Sequence, residues 1–369
     1  MPPGLPPRRR RGHWRSRVIS PARVAAFDIL RKVEDGGYAS DLLVSYTRDF
    51  SSRDAGLASE IVFGVLRYRA QLDHLIDRAT TSKKLDTEVR TALRMGIYQI
   101  RHLDRVPPHA AVAESVELVK RAKKKSAAGL VNAILRNTNR YPVAWPSREV
   151  ELSCPEWLLA RWERNYGREI AHGIARAALE EPVKYTRGGR TQDIGAQSIV
   201  PLLKLSAGQT LLDLCAAPGN KTAQALESGV RCVACDVHFH RLAHLKGLDA
   251  GLVVLDGTKP LPFARKFDRI LVDAPCSGTG TLGRNPEIKW RLRPEDLTDL
   301  EGRQRALLAN ARQVLAPGGR LVYSTCSLEP EENEQVAEGA AETVLRLPGR
   351  DEGDGFFAAV LESGEPAND

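Results

Sequence analysis

The chain has 369 residues, 42% hydrophobic and 27% charged, which is material for two or three domains with a sizeable core. No apolar run approaches the roughly 18 residues of a membrane-spanning helix, and the Pro- and Arg-rich opening lacks an apolar signal stretch. A cytoplasmic chain without membrane contact is expected, and nothing demands more than a monomer. The net charge of +8 is uneven: residues 1–150 hold 28 Lys and Arg against 15 Asp and Glu, whereas residues 151–369 hold 26 against 31. The basic half is suited to phosphate contacts, because each neutralised phosphate releases counterions and adds affinity without sequence preference. A basic but merely solvated surface is the alternative.

Residues 1–19 contain four consecutive arginines between Pro and Gly and read as a flexible basic arm. From Ser20-Pro21, an N-cap with Pro at the first helical position, the chain reads as helical to about Asn139. Apolar residues recur at helical spacing in Val24, Phe27 and Leu30, in Ile61, Val65, Leu72 and Ile76, and in Val89, Leu93, Ile97 and Ile100. Further helices are predicted at 109–123 and 127–139, giving a basic all-α bundle. Residues 141–197 read as a connector, broken by four prolines, around one amphipathic helix over 156–179. Trp157 and Trp162 within it read as core residues.

From Thr210 short apolar runs alternate with helical stretches. Strands are predicted at 210–215, 231–237, 252–255, 267–272, 320–325 and 355–361, which defines an α/β domain over 198–362 with a parallel, doubly wound sheet; residues 363–369 form a tail. Ligands of such sheets bind beyond the strand C-termini.

Six cysteines, at 154, 215, 232, 235, 276 and 326, are irregularly spaced and read as free thiols. Cys232 and Cys235 form a C-x-x-C inside a strand, where positions three apart face opposite sides, so no zinc site is expected there. His238, His240 and His244 lack partner ligands, and no metal is expected.

The strand ends carry the chemistry. Asp213-Leu-Cys-Ala-Ala-Pro-Gly-Asn-Lys-Thr222 is a small-residue turn that lets backbone approach a cofactor, and it is not a phosphate-binding P-loop. Asp236 can accept ribose hydroxyls or cap the next helix; Asp256 can reach an adenine amino group or simply make a turn before Gly257. Asp273-Ala-Pro-Cys276-Ser-Gly-Thr-Gly280 places an acid and a thiol on one loop, and Ser324-Thr-Cys326-Ser leads into Glu329-Pro-Glu-Glu-Asn-Glu334. Either thiol alone reads as a buried structural cysteine. Together, at the ends of neighbouring strands, they fit attack on a cytosine: a thiolate adding to C6 makes C5 nucleophilic, and a second group assists release of the adduct. Asp273 can then hydrogen-bond the N3/N4 edge of a base turned out of its stack.

These three segments, in this order, resemble the signatures of the Sun family of RNA (cytosine-5) methyltransferases. The resemblance implies a Rossmann-like domain dependent on S-adenosylmethionine. It makes Cys326 the nucleophile and Cys276 the release residue, with Asp273 the third catalytic group. Cofactor contacts fall to Cys215, Ala216, Ala217, Pro218, Gly219, Asn220, Lys221, Asp236, Asp256 and Asp273. Pro107-Pro-His-Ala-Ala-Val-Ala-Glu114 and Gly129-Leu-Val-Asn-Ala-Ile-Leu-Arg136 resemble a NusB-like RNA-binding domain over 20–140, as fused to the type B small-subunit ribosomal RNA enzymes, so small-subunit ribosomal RNA is the implied partner. Three departures stand out. Asn220 replaces a family Gly, at a point where Asn tolerates a left-handed backbone. The connector between Pro182 and Gln197 lacks most of an RNA-contacting subdomain, and the region after Glu334 is shortened. The rival readings are a DNA cytosine-5 methyltransferase, in which Cys276 attacks, and a non-catalytic RNA-binding or ribosome-assembly factor.

Overall fold

The computed structural model describes residues 19–80 and 84–363. The basic arm to residue 18 and the tail from residue 364 therefore lie outside the described residues. The chain divides into two compact units, residues 1–144 and 145–369.

The first unit is helical among its described residues: α1 Pro21–Glu34, α2 Ala39–Tyr46, α3 Ser52–Arg67, α4 Arg69–Ala79, α5 Thr87–His102, α6 Pro108–Arg121 and α7 Ala128–Asn137. Helix α5 forms its centre, with Val89, Leu93, Met95, Ile97 and Ile100 all buried. The helical stripes read from the sequence are therefore core faces. Ser20 does stand at the N-cap position of α1, but its hydroxyl does not cap the helix; it donates to Glu114 Oε2 at 2.8 Å. Arg94 on α5 is buried, yet fully paired: it donates to Asp73 of α4 at 2.7 and 2.8 Å and to Glu34 of α1 at 2.8 Å. Burying that guanidinium is tolerable only because both carboxylates meet it.

In the second unit α8 (Arg148–Glu151), α9 (Glu156–Tyr166) and α10 (Arg168–Ala177) come first. The single helix expected over 156–179 is two, because Gly167 between α9 and α10 takes φ +81°, a left-handed conformation that ends one helix and starts the next. Trp162 is fully buried in this helical pair, as its spacing predicts. A hairpin of β1 (Thr186–Arg187) and β2 (Arg190–Thr191) and a short α11 (Ile194–Gln197) lead into the sheet.

The sheet has seven strands in the order β5-β4-β3-β6-β7-β9-β8. They are β3 Thr210–Asp213, β4 Arg231–Asp236, β5 Ala250–Val254, β6 Phe267–Asp273, β7 Leu315–Thr325, β8 Glu342–Arg346 and β9 Phe356–Glu362. β3 to β7 are mutually parallel, whereas β9 runs antiparallel to β7 and to β8. The parallel, doubly wound sheet expected from sequence is present in β3 to β7, and β9 and β8 extend it in antiparallel fashion. β8 was not foreseen, since most of its residues are exposed and no apolar run marks it.

Successive residues on a strand face opposite layers. Leu212 and Cys235 pack with Leu307, Leu308 and Ala311 of α15 (Pro294–Gln313), while Leu211 and Cys232 pack on the other face with Ala225 of α12 (Asn220–Leu226). The two cysteines of the C-x-x-C therefore lie in different layers. The crossovers are unequal: α13 (Phe239–Leu242), between β4 and β5, is four residues long, whereas α14 (Ile288–Arg291) and the 20-residue α15 lie between β6 and β7. Strand order reverses between β3 and β6, which opens a crevice at their C-terminal ends.

Candidate active site

That crevice holds the loops singled out in the sequence. β3 ends at Asp213 and the chain turns through Cys215, Ala216, Ala217 and Pro218 to Gly219, which takes φ +99° as the N-cap of α12. The left-handed position is thus Gly219. Asn220 is the first residue of α12, and its Nδ2 donates to the Thr191 carbonyl at 2.9 Å, fastening the hairpin to the loop. The departure at Asn220 is consequently not a matter of backbone strain.

β6 ends at Asp273, which sits opposite Ser324 of β7 in the parallel register. Asp273 Oδ1 accepts from Ser324 Oγ at 2.8 Å, and its Oδ2 accepts from Lys221 Nζ at 2.6 Å. Burial opposes the charge on Lys221, but Asp273 more than offsets it, and a negative charge on Cys326 adds to the effect, so the ammonium is held above its usual range. Beyond this register, three residues after Asp273 and two after Ser324, the thiols meet: Cys276 Sγ and Cys326 Sγ lie 3.3 Å apart. The Cys276 thiol is pushed well above the usual thiol range, first by its hydrogen bond to Cys326 and then by burial.

A cavity of about 190 Å³ is lined by the β3 loop, Lys221, Asp273 and the hairpin residues Thr191 to Asp193. Asp213 reaches it with one oxygen bonded to Thr222 Oγ1 at 2.7 Å and the other, Oδ1, buried without a partner. Burial raises the Asp213 carboxyl to about 7. An orphan carboxylate oxygen in a cradle of small residues fits a ligand that brings a cation, and S-adenosylmethionine carries an ammonium and a sulfonium. A neighbouring cavity of about 230 Å³, lined by Thr279 and Gly280, shares Arg284 and Asp354 with it.

Asp236 and Asp256 are not drawn into this cavity. Asp236 ends β4, nearly buried, and its Oδ1 accepts from His238 N at 2.8 Å; exposed Asp256 follows β5 and accepts from Thr258 N at 3.0 Å and from Thr258 Oγ1 at 2.7 Å. Both carboxylates satisfy local turns. No group of three metal-ligating side chains is found among the described residues, and no helix among them is long and apolar enough to cross a membrane.

Two polar clusters were not foreseen. Arg284, on the loop after Gly280, bonds Asp193 at 2.7 Å and the Val183 carbonyl at 2.8 Å, and also Asp354. Buried Glu332 receives Ser277, Ser327 and Gln304. The available signal was the repeated Cys-Ser dipeptide, which places a serine directly after each thiol.

A parallel sheet with a small-residue cofactor loop at its switch point and a thiol pair beside it defines the S-adenosylmethionine-dependent methyltransferase class. Residues 200–346 match the family described as 16S rRNA methyltransferase RsmB/F, and residues 20–140 match the NusB family. Ribosomal RNA small subunit methyltransferase B of Citrobacter koseri is 33% identical over 420 aligned positions, covering 92% of this chain and 97% of that protein. The enzyme of the same name from Pectobacterium atrosepticum is 34% identical with the same coverage. A crystal structure described only as PH0851 matches the fold at TM-score 0.74 and 21% identity, covering 94% of this chain and 99% of that one. The chain belongs to the RsmB/F, or Sun, family of ribosomal RNA methyltransferases, in the form that carries a NusB domain. The alignment to the Citrobacter protein runs to 420 positions against the 369 residues here.

Proposed function

We propose that this chain methylates C5 of a cytosine in 16S ribosomal RNA through a covalent bond between Cys326 and C6, with Cys276 assisting release. The observation that carries the reading is the 3.3 Å separation of the two thiols beside the Lys221–Asp273 ion pair. Lys221 supplies positive charge on the same side of the sheet as the attacking sulfur. The thiolate adds to C6, and the electron pair displaced from the C5–C6 double bond makes C5 nucleophilic. Asp273 accepts a hydrogen bond from the N4 amino group and, once N3 has taken up a proton from solvent, from N3 as well, stabilising the protonated adduct. S-adenosylmethionine, held by the residues of the β3 loop, supplies the electrophilic methyl group. Loss of the C5 proton to solvent then restores the C5–C6 double bond and expels Cys326 as a thiolate, and Cys276, 3.3 Å away, sits where its S–H can donate a hydrogen bond to that leaving sulfur. The strongly basic first 150 residues supply phosphate affinity independent of sequence.

The test is transfer of labelled methyl groups to small-subunit rRNA transcripts and to small-subunit particles, comparing the wild type with Cys326→Ala and Cys276→Ala. Wild type is expected to methylate cytosine C5, and Cys276→Ala to accumulate an RNA adduct on a denaturing gel that Cys326→Ala never forms. The reverse pattern of adducts supports Cys276 as nucleophile, as in DNA enzymes. Failure of wild type to modify either substrate leaves a binding or assembly role.

A further inference from the structure

We infer that Glu332 is a positioning residue that locks the two cysteine loops together and orients the release thiol. The inference rests on the thiol-pair reading above. Glu332 has no exposed surface. Its Oε1 accepts from the backbone N–H of Ser277 at 2.8 Å and from Gln304 Nε2 at 2.9 Å, and its Oε2 accepts from the hydroxyls of Ser277 and Ser327. All four acceptor positions of a carboxylate are thus filled. Ser277 directly follows Cys276 and Ser327 directly follows Cys326. Aiming both hydroxyls at one oxygen brings the serine oxygens to 3.0 Å, and the thiols one residue earlier lie 3.3 Å apart.

All four donors are neutral. A neutral amide has one accepting oxygen and could meet only two of these donors, so the tie takes a carboxylate, and the buried charge brought in with it has a second role. That role is supplied by Cys276: the negative field of Glu332 favours the protonated thiol, adding to the effects of Cys326 and burial. Gln304 extends the lock, since its Nε2 also donates to the Pro275 carbonyl at 2.9 Å, one residue before Cys276. Glu332 touches neither base nor cofactor cavity and acts only through the loops it holds.

The experiment uses the full chain carrying Glu332→Gln or Ser327→Ala, with Cys276→Ala as reference. Three quantities are read: affinity for S-adenosylhomocysteine, the fraction of protein in covalent RNA adduct, and the pH profile of product release. Glu332→Gln is expected to keep cofactor affinity within about twofold yet slow release by about 10²-fold, the scale of a small misplacement of a reacting group. Adduct therefore accumulates although both thiols are present, and the release profile moves to lower pH because the charge that holds the Cys276 proton is gone. Ser327→Ala, which keeps the charge and removes one tie, is expected to slow release without moving the profile. Wild-type release in both variants overturns the inference. So does loss of folding or cofactor affinity in Glu332→Gln together with wild-type release in Ser327→Ala, which leaves Glu332 only a structural part. If Cys276→Ala itself gives no adduct, the thiol-pair reading fails first, and that result is separable from any behaviour of Glu332.

Discussion

Gly280 donates its backbone N–H to the carbonyl of Cys326 at 2.9 Å, so the loop carrying one thiol is bonded to the residue that carries the other. A Cβ at Gly280 would lie 2.4 Å from the Gly355 carbonyl oxygen and 2.8 Å from that of Cys326, both backbone atoms that cannot swing aside. Gly280→Ala must part three chain segments at the active site. We expect a loss of about 1–3 kcal/mol in denaturant unfolding, the usual cost of overpacking. Adduct formation should fall by a larger factor than stability alone explains.

Asp273 and Lys221 form the second tie, between the β3 and β6 loops. Asp273→Asn leaves a largely buried ammonium without its counter-charge, a loss of about 2–3 kcal/mol once the partial exposure of Asp273 is allowed for. Adding Lys221→Met should recover most of that stability, because the lone charge is gone. Methyl transfer should remain absent in the double variant. Unfolding curves and single-turnover assays of the three variants check both halves of the expectation.

The Asp213 carboxyl, raised to about 7 by burial, gives a pH signature. Below that value the folded chain holds a proton that the unfolded chain, with an ordinary carboxyl near 3.9, has released. Stability of the free protein therefore falls as pH rises from about 4 to about 7, relative to Asp213→Asn. Cofactor binding reverses the preference, since a cation beside the orphan oxygen favours the charged form. Affinity for S-adenosylmethionine should thus rise as pH rises, by up to about tenfold per unit, and level off above 7. Titration calorimetry in two buffers should show release of one proton on binding, and none with Asp213→Asn.

Arg284 holds Asp193 and Asp354 together, and Asp354 stands at about 6, raised by burial and then by Asp193. Arg284→Met removes the guanidinium and leaves the two acids facing one another. Losing Arg284, which pulls the Asp354 carboxyl down, raises it further, so at low pH a protonated Asp354 can donate to Asp193. Once both acids are ionised, two buried carboxylates repel. Stability of the variant should therefore fall with rising pH, with a deficit of about 3 kcal/mol at pH 8 and a small one at pH 5. Denaturant midpoints at the two pH values measure it.

Much of this layout is legible in the chain itself. Four of the strands leading to the motif loops, β3, β4, β6 and β7, announce themselves as short apolar runs because both faces of a central strand are covered, while β5, at the edge and largely exposed, shows only through its unbroken apolar stretch. The meeting of Cys276 with Cys326 follows once β6 and β7 are neighbours. β8 escapes notice because an edge strand with exposed residues has no apolar run to betray it. The break at Gly167 is hidden because apolar spacing continues across it, whereas only the backbone angle interrupts the helix. Asp236 and Asp256 illustrate a different limit: a carboxylate at a strand end serves its own turn as readily as a ligand, and sequence does not distinguish the two. Glu332 and Arg284 are purely tertiary, each gathering partners from segments far apart in the chain.

The position of β9 between β7 and β8 also governs the order in which the molecule can be built. β8 has no other partner in the sheet, so it stays unpaired on a nascent chain until Phe356–Glu362 has left the ribosome. Until then the outer edge of β7, which leads directly into Cys326, is open as well. The helical unit, made of residues synthesised much earlier, can already be complete at that stage. An emerging chain can therefore carry a finished NusB-like half while its sheet is still an open edge, the form most exposed to wrong pairing.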